Sequence, residues 1–162
     1  MHDRTYVPLL AGRHPQLDRL LGAWRLLHLQ GTRSDHDDPD LLLRAFEPWR
    51  GNIAIVGMAS QRNLELRWCG LAFARLCGET IKGSEGLPGP NGPFTPRIQD
   101  ESRIVLDCGR ALLFEETRRP FGSLRPCRVA KLFLPIGAER DGARILIVAA
   151  YSMDDRHRAS SA

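Results

Sequence analysis

Apolar positions along this chain shift from three-and-four spacing to alternation and back, and each shift marks an element. Between His14 and Gln30, Leu17, Leu20, Leu21, Trp24 and Leu27 recur at steps of three and four residues. That spacing predicts an amphipathic helix, with Pro15 in its first turn and Gly31 as its stop. Gln16, Asp18, Arg19 and Arg25 fall on the opposite face. So apolar a stripe must be buried, either on the rest of the domain or on a second copy of the chain. Asp38–Pro39 opens a second helix expected to reach Trp49, with Asp38 as N-cap and Leu42, Leu43, Phe46 and Trp49 on its buried side.

The pattern then becomes that of strands. Asn52 to Ser60 is apolar on both faces and reads as a central strand. After a turn at Gln61–Arg62–Asn63, Leu64, Leu66 and Trp68 alternate with Glu65 and Arg67, as in an edge strand with one wet face. The stretch Leu64 to Ser84 turns at Cys69–Gly70 and runs as a short helix over Ala72–Cys77, closed by Gly78. Gly83 to Pro96 is rich in Gly and Pro and reads as a loop or a broken helical turn. A longer helix is expected from Thr95 or Pro96 to Cys108, with Ile98, Ser102, Val105 and Cys108 on one stripe and Gly109 as its stop. Three more strands follow, at Ala111–Thr117, Arg128–Ile136 and Ala143–Ser152, the last two joined by an Asp141-Gly142 hairpin turn.

The order ββ, helices, βββ predicts an α+β domain built on one antiparallel sheet. The first and fifth strands are apolar on both faces and belong in the middle; the second and third are wetter and belong at the edges. The sheet order is therefore 2-1-5-4-3. The mid-chain helices can cover only one face, so the Leu17–Leu27 stripe is the expected cover for the other. The division of the chain is then a tail at 1–13, an N-terminal helical cap at 14–50, a core at 51–152 and a polar tail at 153–162.

Composition narrows the function classes. Hydrophobic residues at 43% and charged residues at 26% make an ordinary globular chain. The longest apolar run, Ile145–Tyr151, is too short to span a bilayer, and the first fifteen residues lack a signal-peptide core, so a cytoplasmic location with no membrane partner is expected. The net charge of +4 is carried almost wholly by arginine, with Lys82 and Lys131 the lysines. The arginines are scattered rather than gathered on one element, so a solvated surface accounts for them better than a nucleic-acid-binding face. Cys69, Cys77, Cys108 and Cys127 show neither C-x-x-C spacing nor a neighbouring His, and Asp35, Asp37, Asp38 and Asp40 lack the Gly and terminal Glu of a calcium loop. No metal site is expected. Motifs for nucleophilic hydrolases, zinc proteases and nucleotide-binding loops are absent, and Glu115 and Glu116, adjacent on a strand, point to opposite faces. No catalytic residue is assigned.

Several short motifs occur in a meaningful order: Trp24-Arg25-Leu26-Leu27, Arg33-Ser34-Asp35 before Asp38-Pro39, Arg67-Trp68-Cys69-Gly70, Gly78 with Gly83, and Leu134-Pro135. Together, over residues 16–152, they resemble the PAS domain superfamily, and within it a bacterial stand-alone PAS-like family of about this length. The resemblance implies a PAS-like five-stranded antiparallel sheet with helices on one face and the N-terminal cap on the other. It also implies a non-catalytic sensory or regulatory module that signals through a homodimer or a partner protein. A small-molecule pocket would lie between the sheet and the mid-chain helices, with Trp68, Phe73, Leu76, Ser102, Val105, Leu132 and Leu134 as candidate lining residues. Leu17, Leu20, Leu21, Trp24 and Leu27 are the candidate dimer or partner interface. The cofactor is unknown. Haem on a core histidine is disfavoured because His2, His14, His28, His36 and His157 all lie outside residues 37–156, and cysteinyl-flavin photochemistry is disfavoured because no G-x-N-C-R-F-L-Q is present. The alternatives are a basic nucleic-acid-binding adaptor and a small-molecule enzyme on the same fold.

Overall fold

Two strands apolar on both faces lie side by side in the interior of the sheet. They are β2 (Ile53–Ser60) and β8 (Ile145–Ser152), paired antiparallel from Ile53↔Ala149 to Gly57↔Ile145. The computed structural model describes residues 5–7, 14–29, 39–60, 63–78, 81–82, 87–88, 96–120, 122–137 and 145–154. Outward from β2 lies β3 (Asn63–Cys69); outward from β8 lie β7 (Cys127–Ile136), β6 (Leu112–Arg118) and β1 (Thr5–Val7). The expected order 2-1-5-4-3 is present, extended by β1 at one edge.

That extra strand corrects the reading of residues 1–13 as a tail. Thr5, Tyr6 and Val7 suit a strand, and they pair with Glu115, Phe114 and Leu113. The third predicted strand, β6, is therefore covered over this stretch, and its backbone donors and acceptors find partners there rather than facing solvent.

Each face of the sheet carries its own core. On the cap face, Leu17 and Leu20 of α1 (Pro15–Leu29), Leu42 and Leu43 of α2 (Pro39–Ala45), and Phe46 and Trp49 pack on Ile53, Ile55, Leu132, Leu134 and Ile147. On the other face, Phe73 and Cys77 of α3 (Leu71–Cys77) and Ile98 and Val105 of α4 (Pro96–Cys108) pack on Ala54, Val56, Phe133 and Val148. Strand alternation sorts β7 between them: Ala130, Leu132, Leu134 and Ile136 face the cap, while Val129 and Phe133 face α3 and α4.

The inner part of the N-terminal stripe is thus spent within the chain. Leu17 and Leu20 are buried in the cap-face core, and Leu21, Trp24 and Leu27 pack half-buried against it. Two indole donors fasten the cap: Trp24 Nε1 donates to the Pro135 carbonyl at 2.9 Å, and Trp49 Nε1 to the Gln16 carbonyl at 3.1 Å. At the start of α1 the His14 imidazole accepts a hydrogen bond from the Gln16 amide through Nδ1 at 3.2 Å, the work usually done by a capping oxygen. Gly22 lies inside α1 with nothing within 4 Å of where a Cβ would stand. Gly22→Ala is therefore expected to raise stability by about 0.5–1 kcal/mol, read from the urea unfolding midpoint.

The second predicted helix does not run unbroken to Trp49. It ends at Ala45, and a 3-10 helix takes over from Glu47 to Asn52. Pro48 has no amide hydrogen for an α-helical bond to Arg44, so it sits at the start of the tighter turn, where none is needed. The two glycine stops behave as read: Gly78 closes α3 with φ 72° and Gly109 follows α4 with φ 63°, both left-handed. In the Gly/Pro-rich region, β4 (Ile81–Lys82) and β5 (Leu87–Pro88) form a small two-stranded ribbon. The Thr32–Asp38 loop, the Gln61–Arg62 turn, the remainder of the Gly83–Pro96 region and the Asp141-Gly142 turn lie outside the described residues.

Candidate functional site

The Arg67-Trp68-Cys69-Gly70 motif sits where β3 meets α3. Its geometry depends on a β-bulge. Ile55 pairs with Trp68 but Val56 pairs with Leu66, leaving Arg67 as an extra residue. Leu64 and Leu66 contact the α3/α4 core, but beyond the bulge the parity flips, so Trp68 enters the cap-face core and Cys69 the other. Trp68 lies under the Arg50 guanidinium, 4.9 Å from its ring centroid, and its buried indole N–H has no hydrogen-bond partner. Arg67 donates to Glu65 Oε1 at 2.9 Å and lies across Gly57, where a Cβ would be 2.1 Å from its Nε. Gly70 closes the motif by donating to the Ile53 carbonyl at 2.8 Å and accepting from Ala74 at 2.9 Å.

The seven expected pocket residues therefore do not share one wall. Phe73 and Val105 are buried in the α3/α4 core, Leu76 packs half-buried against it, and Ser102 is wholly buried on the inward face of α4. Trp68, Leu132 and Leu134 are in the cap-face core across the sheet. The bulge displaced Trp68. For β7 the reason is simpler: every second residue faces the cap, and the residue between Leu132 and Leu134 that faces the helices is Phe133.

The α3/α4 face instead holds a charge cluster that the sequence reading passed over. Lys131, in the middle of β7, is fully buried with its ammonium 2.5 Å from Glu101 Oε2 on α4 and 3.2 Å from Glu116 Oε1 on β6. Arg97, in the first turn of α4, brings Nε to 2.6 Å from Glu116 Oε2 and 3.5 Å from Glu101 Oε1. The Arg97 N–H is not aligned for a hydrogen bond along either contact, so these are ion pairs. From the far end of β6, Arg118 donates to the Cys77 carbonyl at the end of α3 at 2.6 Å and stands 3.5 Å from Glu116 Oε1. One carboxylate thus gathers three cations, and the cluster ties α3 and α4 to β6 and β7. Neighbouring Glu115 takes no part: on the opposite face it accepts from Arg128 at 2.8 Å, as strand alternation requires.

Two signals pointed to these residues. Lys131 interrupts the otherwise apolar run Val129–Ile136 in a chain with only one other lysine. Glu101 falls three residues after Ile98 and four before Val105, on the buried stripe of α4. Among the described residues no group of three or more His, Cys, Asp or Glu could hold a metal ion. Cys69 and Cys77 are buried, Cys127 is half-buried, and Cys108 is exposed. Among the described residues no helix is long and apolar enough to cross a membrane.

On the cap side, the Tyr151 ring packs at a tilt against the His14 imidazole, centroids 4.8 Å apart, and burial pushes its phenol from the ordinary 10 up to about 12. A raised folded-state value means the contribution is fully present below pH ~10 and is lost as pH rises from there through about 12. The unfolding midpoint is expected to fall across that window, and Tyr151→Phe to flatten that part of the profile in a pH series of thermal melts.

Strand order, antiparallel pairing and a helical layer on each face together define a PAS-type fold. No family model matches the sequence, nor does any curated protein. Among solved structures the chain is similar to an RNA-binding light-oxygen-voltage receptor, with TM-score 0.49 and 16% identity, over 99% of this chain and 40% of that one. It is also similar to the dark structure of the blue-light photoreceptor Aureochrome1 LOV (TM-score 0.44, 16% identity, 71% and 85% of the two chains). A fungal LOV domain photoreceptor is a third (TM-score 0.43, 11% identity, 85% and 94%). The chain therefore spans well under half of the first of these, and the fold assignment rests on the strand order and helix placement.

Proposed function

We propose that this chain is a non-catalytic regulatory module of the PAS type, resembling the bacterial stand-alone members, that works in the cytoplasm. It takes a small-molecule ligand between the sheet and the mid-chain helices and passes the signal on through a second copy or a partner protein. The observation that carries the reading is the Lys131–Glu101–Glu116–Arg97 cluster. Charges taken out of water cost several kcal/mol each before their pairing offsets it, and apolar side chains of like volume hold a core together at least as well. A polar cluster beneath two helices is therefore better understood as a device than as a staple. Whatever competes for its ion pairs shifts α3 and α4 against the sheet, and that displacement is the signal. Phe73, Leu76, Ser102 and Val105 stand on the side of the sheet where the ligand would bind. The outer flank of Leu21, Trp24 and Leu27, with exposed Leu26 beside them, would meet the second copy.

Native mass spectrometry of the purified chain, paired with recovery of proteins that co-purify with it, tests this. A retained small-molecule mass, together with a dimer or a stoichiometric partner, is the expected result. A bare monomer with neither a bound mass nor a partner would overturn the reading.

A further inference from the structure

The charge cluster does not balance. Among the described residues, Lys131, Arg97 and Arg118 supply three positive charges against the two carboxylates of Glu101 and Glu116, leaving one positive charge over. Lys131 is sealed inside, whereas the Arg97 and Arg118 side chains keep 18% and 24% of their surface, so the excess lies at the mouth. Both guanidinium groups converge there on one carboxylate, Glu116. Three enclosed donors make no hydrogen bond, Arg97 Nε, Arg97 Nη2 and the hydroxyl of wholly buried Ser102, and on the acceptor side Glu101 Oε1 and both Glu116 oxygens are held by ion pairs alone.

The helix that carries Arg97 adds to the imbalance. α4 begins at Pro96, has thirteen residues and has no acidic residue in its first turn, so Arg97 stands at the positive end of a helix, where a cation is disfavoured. Asp100, one turn further along α4, points to solvent and pairs with Arg103.

We propose that the mouth of this cluster, formed by Arg97, Arg118 and the first turn of α4, binds a small oxyanion bearing a carboxylate or phosphate group. Planar guanidinium forks match either group with paired hydrogen bonds, and the bound anion supplies the negative charge the cluster lacks. By drawing Arg97 away from Glu116 the anion loosens the tie between α4 and β6, and by drawing Arg118 off the Cys77 carbonyl it loosens that between β6 and the end of α3. The proposal rests on the ligand-responsive reading above and names the chemical class of the ligand.

The test is a titration of the full chain followed by amide and arginine side-chain NMR. Sodium acetate and sodium phosphate are added in parallel against sodium chloride at matched ionic strength. The expected result is a saturable shift of the Arg97, Ile98 and Gln99 amides and of the Arg97 and Arg118 side-chain N–H signals. Saturation by acetate alone assigns a carboxylate ligand, and by phosphate alone a phosphate. Arg97→Gln and Arg118→Gln should each weaken binding about tenfold or more, the worth of a hydrogen bond to a charged group. Shifts that track chloride, or binding unchanged in both variants, overturn the site. Should Arg97→Gln fail to fold, the parent titration and Arg118→Gln still decide it. A silent titration in a chain that retains its dimer or partner removes this site and leaves the regulatory reading standing.

Discussion

Lys131→Met is expected to cost the fold about 3–5 kcal/mol, measured by urea unfolding. A domain of this size has only about 5–15 kcal/mol in hand, so the variant sits close to unfolding at room temperature. The loss does not come from volume, since methionine nearly fills the space of the lysine stem. It comes from Glu101 and Glu116, whose side chains are 1% exposed and would be left facing each other without the ammonium between them. Arg97 and Arg118 compensate only from one side, at the mouth. Two further variants check the cause. Glu101→Leu combined with Lys131→Met should cost less than the two single changes added together, because a double-mutant cycle recovers the coupling. Replacing Glu116 by Leu as well should restore much of the loss, because the remaining cations reach solvent. A Lys131→Met protein within about 1 kcal/mol of the parent would mean that the ammonium is not holding buried carboxylates apart.

Gly70→Ala carries the second large effect. The backbone there has φ −67° and ψ 150°, which alanine adopts without strain, so the whole cost is contact. A Cβ at Gly70 would stand 2.4 Å from the carbonyl oxygens of both Arg50 and Gly51. Neither can swing aside as a side-chain tip would, because both belong to the 3-10 helix that carries Trp49 into the core. The variant should lose at least the roughly 1–3 kcal/mol typical of overpacking. The loss should be accompanied by a change in tryptophan fluorescence as Arg50 is pushed from Trp68. Gly22→Ala, a glycine with room to spare, is the internal control and should move the midpoint the other way. A tolerated Gly70→Ala would show that the 3-10 helix and α3 are not in backbone contact.

Much of the fold was legible because its causes are local. The α4 boundaries follow from Pro96, the apolar spacing and Gly109, and the end of α3 follows from Gly78. The sheet order was readable because β2 and β8 are apolar on both faces, and only the middle of a sheet buries both faces of a strand. The site was less legible. Reading Leu64, Leu66 and Trp68 as one face assumes unbroken pleating, and the bulge at Arg67 is a property of the β2–β3 pairing rather than of β3 alone. Leu132 and Leu134 fit an inward face of β7, but local sequence does not say which layer of helices lies on that side. The edge position expected for β6 failed for a related reason: its neighbour β1 comes from the other end of the chain.

By itself the sequence determined the longer strands and most of the helices, the glycine stops of α3 and α4, the interior strands and the need for cover on both sheet faces. All of these follow from backbone conformation and apolar spacing within a dozen residues. Only the tertiary structure decided that the Leu17–Leu20 stripe is used up inside the chain and that Trp68 faces the cap. It alone brought Lys131, Glu101, Glu116, Arg97 and Arg118 together from two strands and a helix. The physical reason is the range of the interactions. A hydrophobic period is written along one segment, whereas a buried charge is tolerable only if distant segments deliver its partners, and their meeting exists only in the folded chain.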